Sequence, residues 1–189
     1  MKRSDPVRRG SGEIPTHPSL LGRPLDFICE DHLRERQVCA MIDGLTMVRS
    51  LDRQAVLTVL RFLNEELNVH LRDEAEDLFP VLEMRCTAED SINAVLGRIR
   101  EDQGQTLSQL SAVREAIAGS LDTGADLSQT NRETLTRFAA HVRRHLVAEN
   151  AILLPIARAR LTKADLRRLA SRMRSRRGLP PGAEVGHAD

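Results

Sequence analysis

His145-Leu146-Val147-Ala148-Glu149-Asn150-Ala151-Ile152-Leu153-Leu154-Pro155 has a counterpart earlier in the chain, His70-Leu71-Arg72-Asp73-Glu74-Ala75-Glu76-Asp77-Leu78-Phe79-Pro80. Both read His-x3-Glu-x3-Leu-x-Pro, and they lie 75 residues apart. On an α-helix, residues four apart share a face. Each copy therefore presents one imidazole and one carboxylate a turn apart, inside an apolar run that ends in the same Leu-x-Pro stop. A single such pair is ordinarily an exposed pair, but a solvated face has no reason to repeat this pattern. Two such helices facing each other would bring two nitrogens and two carboxylates to one place, the donor set of a dinuclear metal site.

The repeat extends outward. Glu30-Asp31-His32 matches Glu101-Asp102-Gln103 at a displacement of 71 residues. Each half thus reads as a helical hairpin, with one polar residue on its first helix and His-x3-Glu on its second. Apolar residues at three- and four-residue steps predict helix 1 from about Pro24 through Leu25, Ile28, Leu33, Val38 and Ile42. Helix 2 should start at an Asp52 cap, meet a kink at Pro80 and end near Arg85. Thr87 to Asp90 has the form of a capping box leading into helix 3, and Gly119 and Gly124 mark the following loop. Ser128 caps helix 4, and Thr162 to Asp165 caps a short, Arg-rich fifth helix ending near Arg176. No strand-like alternation appears. The expected class is all-α, an up-down-up-down four-helix bundle with a short extra C-terminal helix. Its expected limits are residues 24–177, with a flexible lead-in over 1–23 and a disordered tail over 178–189.

The chain has 189 residues, enough for one domain with a full core. Its formal net charge is +1, so bulk electrostatics favour neither nucleic acid nor membrane as a partner. Trp and Tyr are absent, which argues against base stacking. The basic start, Met1 to Gly10, is followed by no apolar signal core, so a cytoplasmic protein is expected. Cys29, Cys39 and Cys86 lack metal-finger spacing and read as reduced, mostly buried residues. The arginines of the fifth helix read as a solvated face that could dock a protein partner.

Burying His32, His70, Glu74, Gln103, His145 and Glu149 together would be prohibitive without compensating cations. Mixed imidazole and carboxylate ligation suits iron or manganese, with zinc as an alternative. The Glu-x-x-His spacing of ferritin-like bundles occurs only at Glu184 to His187, in the expected tail, which disfavours that family.

The order His, His-x3-Glu, His-x3-Glu, with Leu-x-Pro after each pair, resembles the hemerythrin-like (HHE cation-binding) family over about residues 24–177. The resemblance implies a non-haem di-iron centre in which His32 and His70 hold one metal, His145 the other, and Glu74 and Glu149 bridge them. Gln103 stands where the family carries a histidine on helix 3. It could offer a carbonyl oxygen in place of imidazole. His141, a turn before His145, either supplies the missing nitrogen or is a core histidine, and Glu66 is its repeat partner. The resemblance further implies binding of O2, NO or peroxide, for sensing or stress defence. A peroxide-consuming activity would follow if Gln103 leaves an exchangeable position. The alternatives are a metal-stabilised regulatory, metal-handling or iron-centre repair module without turnover, and a bundle that has lost its metals.

Overall fold

The computed structural model describes residues 14–123 and 126–180. Among these, every regular element is helical. Helix α1 is Pro24–Met47. Helix α2 is a continuous rod over 53–85, α3 is Ile92–Thr123, α4 is a rod over 129–160, and α5 is Lys163–Arg176. The rod α4 packs against α1 and α3, and α2 packs against the same two, so the four long helices enclose one interior.

The expected caps form. The Asp52 carboxylate accepts from the Gln54 amide, and the Ser128 hydroxyl accepts from the Asn131 amide. Thr162 and Asp165 make a reciprocal capping box at the start of α5. Three boundaries differ from expectation. The Thr87–Asp90 box closes a short 3-10 turn, Ala88–Asp90, and Ser91 at φ 49° then re-aims the chain into α3. Helix α3 runs through Gly119 to Thr123, so that glycine does not end it. Gly124 lies outside the described residues. The lead-in is helical near its end: Pro18–Gly22 forms a 3-10 helix capped by His17, with Leu21 fully buried. An apolar anchor and a fixed proline φ outweigh the glycine content there. At the other end, Arg174 donates to the Pro180 carbonyl and Leu179 packs on the core, while Glu184 and His187 lie outside the described residues.

Neither Leu-x-Pro motif stops its helix. Both rods continue to Arg85 and Arg160 because each proline follows a π-helical turn. The turns are Asp73–Leu78 and Glu149–Leu153. In them the Phe79 amide donates to the Glu74 carbonyl and the Leu154 amide to the Glu149 carbonyl, each five residues back. A proline has no N–H and its ring collides with the carbonyl four residues earlier. One extra residue in the turn relieves that collision, so the helix widens where a straight one would kink.

The interior has three layers. One apolar cluster includes Val38, Ile42, Leu63, Leu71, Val113, Phe138 and Leu146. A second includes Leu21, Ile28, Phe79, Leu96, Ile99, Leu153 and Met173. Each long helix contributes a pair of buried polar residues between the two: His32 and Glu35 on α1, His70 and Glu74 on α2, Gln103 and Thr106 on α3, His145 and Glu149 on α4.

Candidate metal centre

The π turns carry Glu74 and Glu149, so the repeat that positions the carboxylates also sets the local backbone. Ligand-capable atoms of His32, His70, Glu74 and Glu149 all lie within 4.8 Å of one another. His32 Nε2 stands 3.3 Å from Glu74 Oε1 and 3.4 Å from Glu149 Oε2. His145 Nε2 is 2.9 Å from the other oxygen of Glu149, and His70 Nε2 is 3.6 Å from Glu74 Oε2. Glu149 thus faces one imidazole with each oxygen. The His32 and His70 rings meet edge to face, 5.0 Å between centroids. Glu74 and Glu149 are both at 0% exposure.

Two sequence-predicted residues, Gln103 and His141, and the repeat partner of His141, Glu66, take other partners. The Gln103 amide nitrogen donates to Glu74 Oε2 at 2.8 Å, so its N–H, rather than its carbonyl oxygen, is turned to the carboxylate. His141 Nε2 bonds the Asp102 carbonyl on α3 at 3.0 Å, tying α4 to α3 one turn from the cluster. Glu66 is clamped by the Arg34 guanidinium, with bonds of 2.5 and 2.7 Å, and is thereby withdrawn from the centre.

Two residues that sequence reading did not single out belong to the layer. Glu35 is 2% exposed, and its Oε1 lies 3.1 Å from His70 Nε2. Asp31 faces the other ring nitrogen of His70 at 3.6 Å. Glu35 could have been found: it follows His32 by three residues and so shares its face. It was hidden among the neighbouring charges Arg34 and Arg36, which make that stretch look solvated.

The electrostatics are those of acids and bases crowded away from water. Burial pushes the Glu35 carboxyl up to about 7, only partly opposed by His70 and His32. Burial lowers His32 and His70, but the hydrogen bond from His32 to Glu74 and the charges of Glu35 and Glu74 beside His70 outweigh it, so both are raised. His145 rises to about 8 because the Glu149 carboxylate, 2.9 Å from its Nε2, overcomes burial. Burial also acts on Glu149, but His145 beside it and the other nearby imidazoles hold its carboxyl down.

The layer is under-satisfied by its own atoms. Both nitrogens of His70 and His145, Nδ1 of His32, Oε1 of Glu35 and both oxygens of Glu149 lack a well-formed hydrogen bond. Buried polar atoms normally find partners, so this concentration in one layer is what a cation would answer. The donor set fits one: imidazole nitrogens and carboxylate oxygens converging in an enclosed, water-poor layer.

No helix among the described residues is long and apolar enough to cross a membrane. A search of curated proteins gave no match. The family model of the hemerythrin HHE cation-binding domain matches residues 23–157, well over half of the chain and every residue of the buried layer. The chain belongs to the hemerythrin HHE cation-binding domain family.

Proposed function

We propose that this protein holds two non-haem metal ions, iron in the first place, in the layer between its two apolar clusters. In this reading the centre engages O2, NO or peroxide in sensing or in defence against oxidative or nitrosative stress. The observation that carries it is the set of buried imidazoles and carboxylates that lack partners of their own. His32 and His70 would hold one ion and His145 the other. Glu74 and Glu149 would be shared, consistent with Glu149 turning its two oxygens to His32 and His145. Iron bound there would supply one-electron redox chemistry and an exchangeable position for a diatomic ligand or peroxide.

The chain's own residues prepare the place. The two apolar clusters exclude bulk water on either side. Gln103 holds Glu74 by an N–H donor, fixing one carboxylate orientation without adding charge. Asp31 faces Nδ1 of His70, which favours the tautomer with its lone pair on Nε2, toward the layer. His141 and Glu66 serve the scaffold, the first by joining α4 to α3 and the second by pairing with buried Arg34.

The test is metal content by inductively coupled plasma mass spectrometry on aerobically purified protein, with a near-ultraviolet spectrum of the same sample. About two irons per chain with charge-transfer bands that respond to peroxide or NO is the expected result. Metal without any such response would favour a metal-stabilised regulatory or metal-handling module. No metal after anaerobic iron loading would overturn the site and the function together.

A further inference from the structure

We infer that Glu35 is itself a metal ligand, donating a carboxylate oxygen to the ion held by His32 and His70, and that the two metal positions are consequently unequal in affinity. This rests on the metal-binding reading above and goes beyond the repeated motif, which does not contain Glu35.

The first argument is how this chain treats buried acids. Away from the layer, each is answered by arginine: Asp73 by Arg176 and Arg177, Asp77 by Arg172 and Arg176, Asp165 by Arg85 and Arg168. Inside the layer, Glu35 has no arginine ion pair among the described residues, and its ion-pair contact is the His70 imidazole at 3.1 Å, which also stands 3.6 Å from Glu74. An imidazole shared with a further acid is a poor answer to a buried carboxylate. Glu35 therefore behaves like Glu74 and Glu149, the acids of the centre, and unlike the structural acids.

The second argument is geometric. His70 faces Asp31 with Nδ1, and its Nε2 lies 3.1 Å from Glu35 Oε1 and 3.6 Å from Glu74 Oε2 without a well-formed hydrogen bond to either. With a metal ion bound, Nε2 would be unprotonated, and donor atoms this close repel unless the ion lies between them. Neighbouring ligands at about 2.1 Å from one ion, at right angles, are about 3.0 Å apart. The separation of Glu35 Oε1 from His70 Nε2 has that length, and Oε1 has no hydrogen-bond donor.

The third argument is the broken repeat. The displacement of 71 residues that relates His32 to Gln103 relates Glu35 to Thr106. Gln103 is engaged with Glu74, and the Thr106 hydroxyl donates to the Asp102 carbonyl at 3.1 Å. One position thus has His32, His70 and Glu35 to itself, and the other has His145. With Glu74 and Glu149 shared, the first position is the richer by two ligands.

The experiment is titration of the metal-free full-length protein with Co2+, followed by calorimetry and by the visible ligand-field bands. Wild type should bind two ions, the first at least tenfold tighter. His145→Ala should lose only the weaker step. Glu35→Gln, nearly the same size, should weaken the tighter step at least tenfold and shift its bands. Unchanged affinity and bands in Glu35→Gln would overturn the proposal and leave the metal-binding reading standing. Weaker binding with unchanged bands would also overturn it, since Glu35 would then act by charge alone. Two equal steps in wild type would overturn the inequality. No binding of Co2+ or Fe2+ by wild type would remove this proposal and the proposed function together. If Glu35→Gln does not fold by circular dichroism, Glu35→Asp keeps the charge and withdraws the oxygen by about one bond. Wild-type bands in that variant would count against ligation.

Discussion

Gln103 is the residue at which a neutral side chain replaces an expected imidazole, and its amide settles what the substitution does locally. It donates to Glu74 Oε2, a carboxylate oxygen with no exposure to water. Gln103→Leu removes that donor while keeping the size, leaving a buried charge less satisfied. The metal-free variant should lose about 1–3 kcal/mol in urea denaturation, and the loss should shrink once metal takes over the carboxylate. In the proposed assignment, Gln103→His would restore a nitrogen to the poorer metal position. We expect it to tighten the weaker of the two binding steps and to slow any peroxide turnover, read by calorimetry and by oxygen evolution or peroxide absorbance. His141 was a candidate for the same task. Its ring is instead bonded to the Asp102 carbonyl, so His141→Ala should cost stability and leave metal stoichiometry unchanged.

At the scale of elements, the two π turns of the repeat, Asp73–Leu78 and Glu149–Leu153, are the feature with consequences. Each places a carboxylate at its start and a proline just beyond its end. Pro155→Ala restores an N–H and removes the ring that made a regular turn impossible. The turn can then tighten and swing Glu149. Metal affinity should fall roughly three- to tenfold while helix content stays constant, a split that circular dichroism and Co2+ titration would measure together. The fifth helix is held by a different device. Arg85, with Thr162 and then Arg168, holds the Asp165 carboxyl below its usual range. A depressed carboxylate contributes stability above its unfolded value, about pH 3.9, and loses it as pH falls toward the folded one. Melting temperature should therefore drop on acidification below about pH 4. In Asp165→Ala it should already be lower at pH 7, by about 2 kcal/mol of stability, and should fall less steeply in acid. The arginines of this helix were expected to face solvent. Arg167, Arg168 and Arg172 do, but Arg176 and Arg177 are drawn in and clamp Asp73, and Arg172 and Arg176 pair with Asp77 on α2, next to Glu74.

For the whole molecule, the polar layer divides one core into two, and the folded state carries buried acids that a cation would neutralise. Anything bound by the folded chain alone stabilises it by mass action, about 2.7 kcal/mol at a hundredfold excess over the dissociation constant. For a domain of this size that raises the melting temperature by roughly 5–10 °C. Loading the metal-free protein with Fe2+ or Mn2+ should produce such a rise, and a chelator should reverse it. A melting temperature indifferent to both would speak for a bundle that does without metals.

Much of this was legible along the chain, for identifiable reasons. Helix class and four of the five start sites follow from 3.6-residue periodicity and from caps such as Asp52, Ser128 and Thr162, which act within a few residues of themselves. The clustering of His32, His70, Glu74 and Glu149 follows from an internal repeat, because symmetry carries one helix face onto another. What the tertiary structure alone decided is which atoms meet across helices. Glu35 belongs to the layer although its sequence neighbours are charged, and Glu66 stands outside it although its repeat partner is the histidine His141. Each outcome was set by a partner remote along the chain: His70 for the first and Arg34 for the second. Local periodicity places a side chain on a face. The compensation of a buried charge depends on what the opposite face offers, and that exists only once the helices have packed.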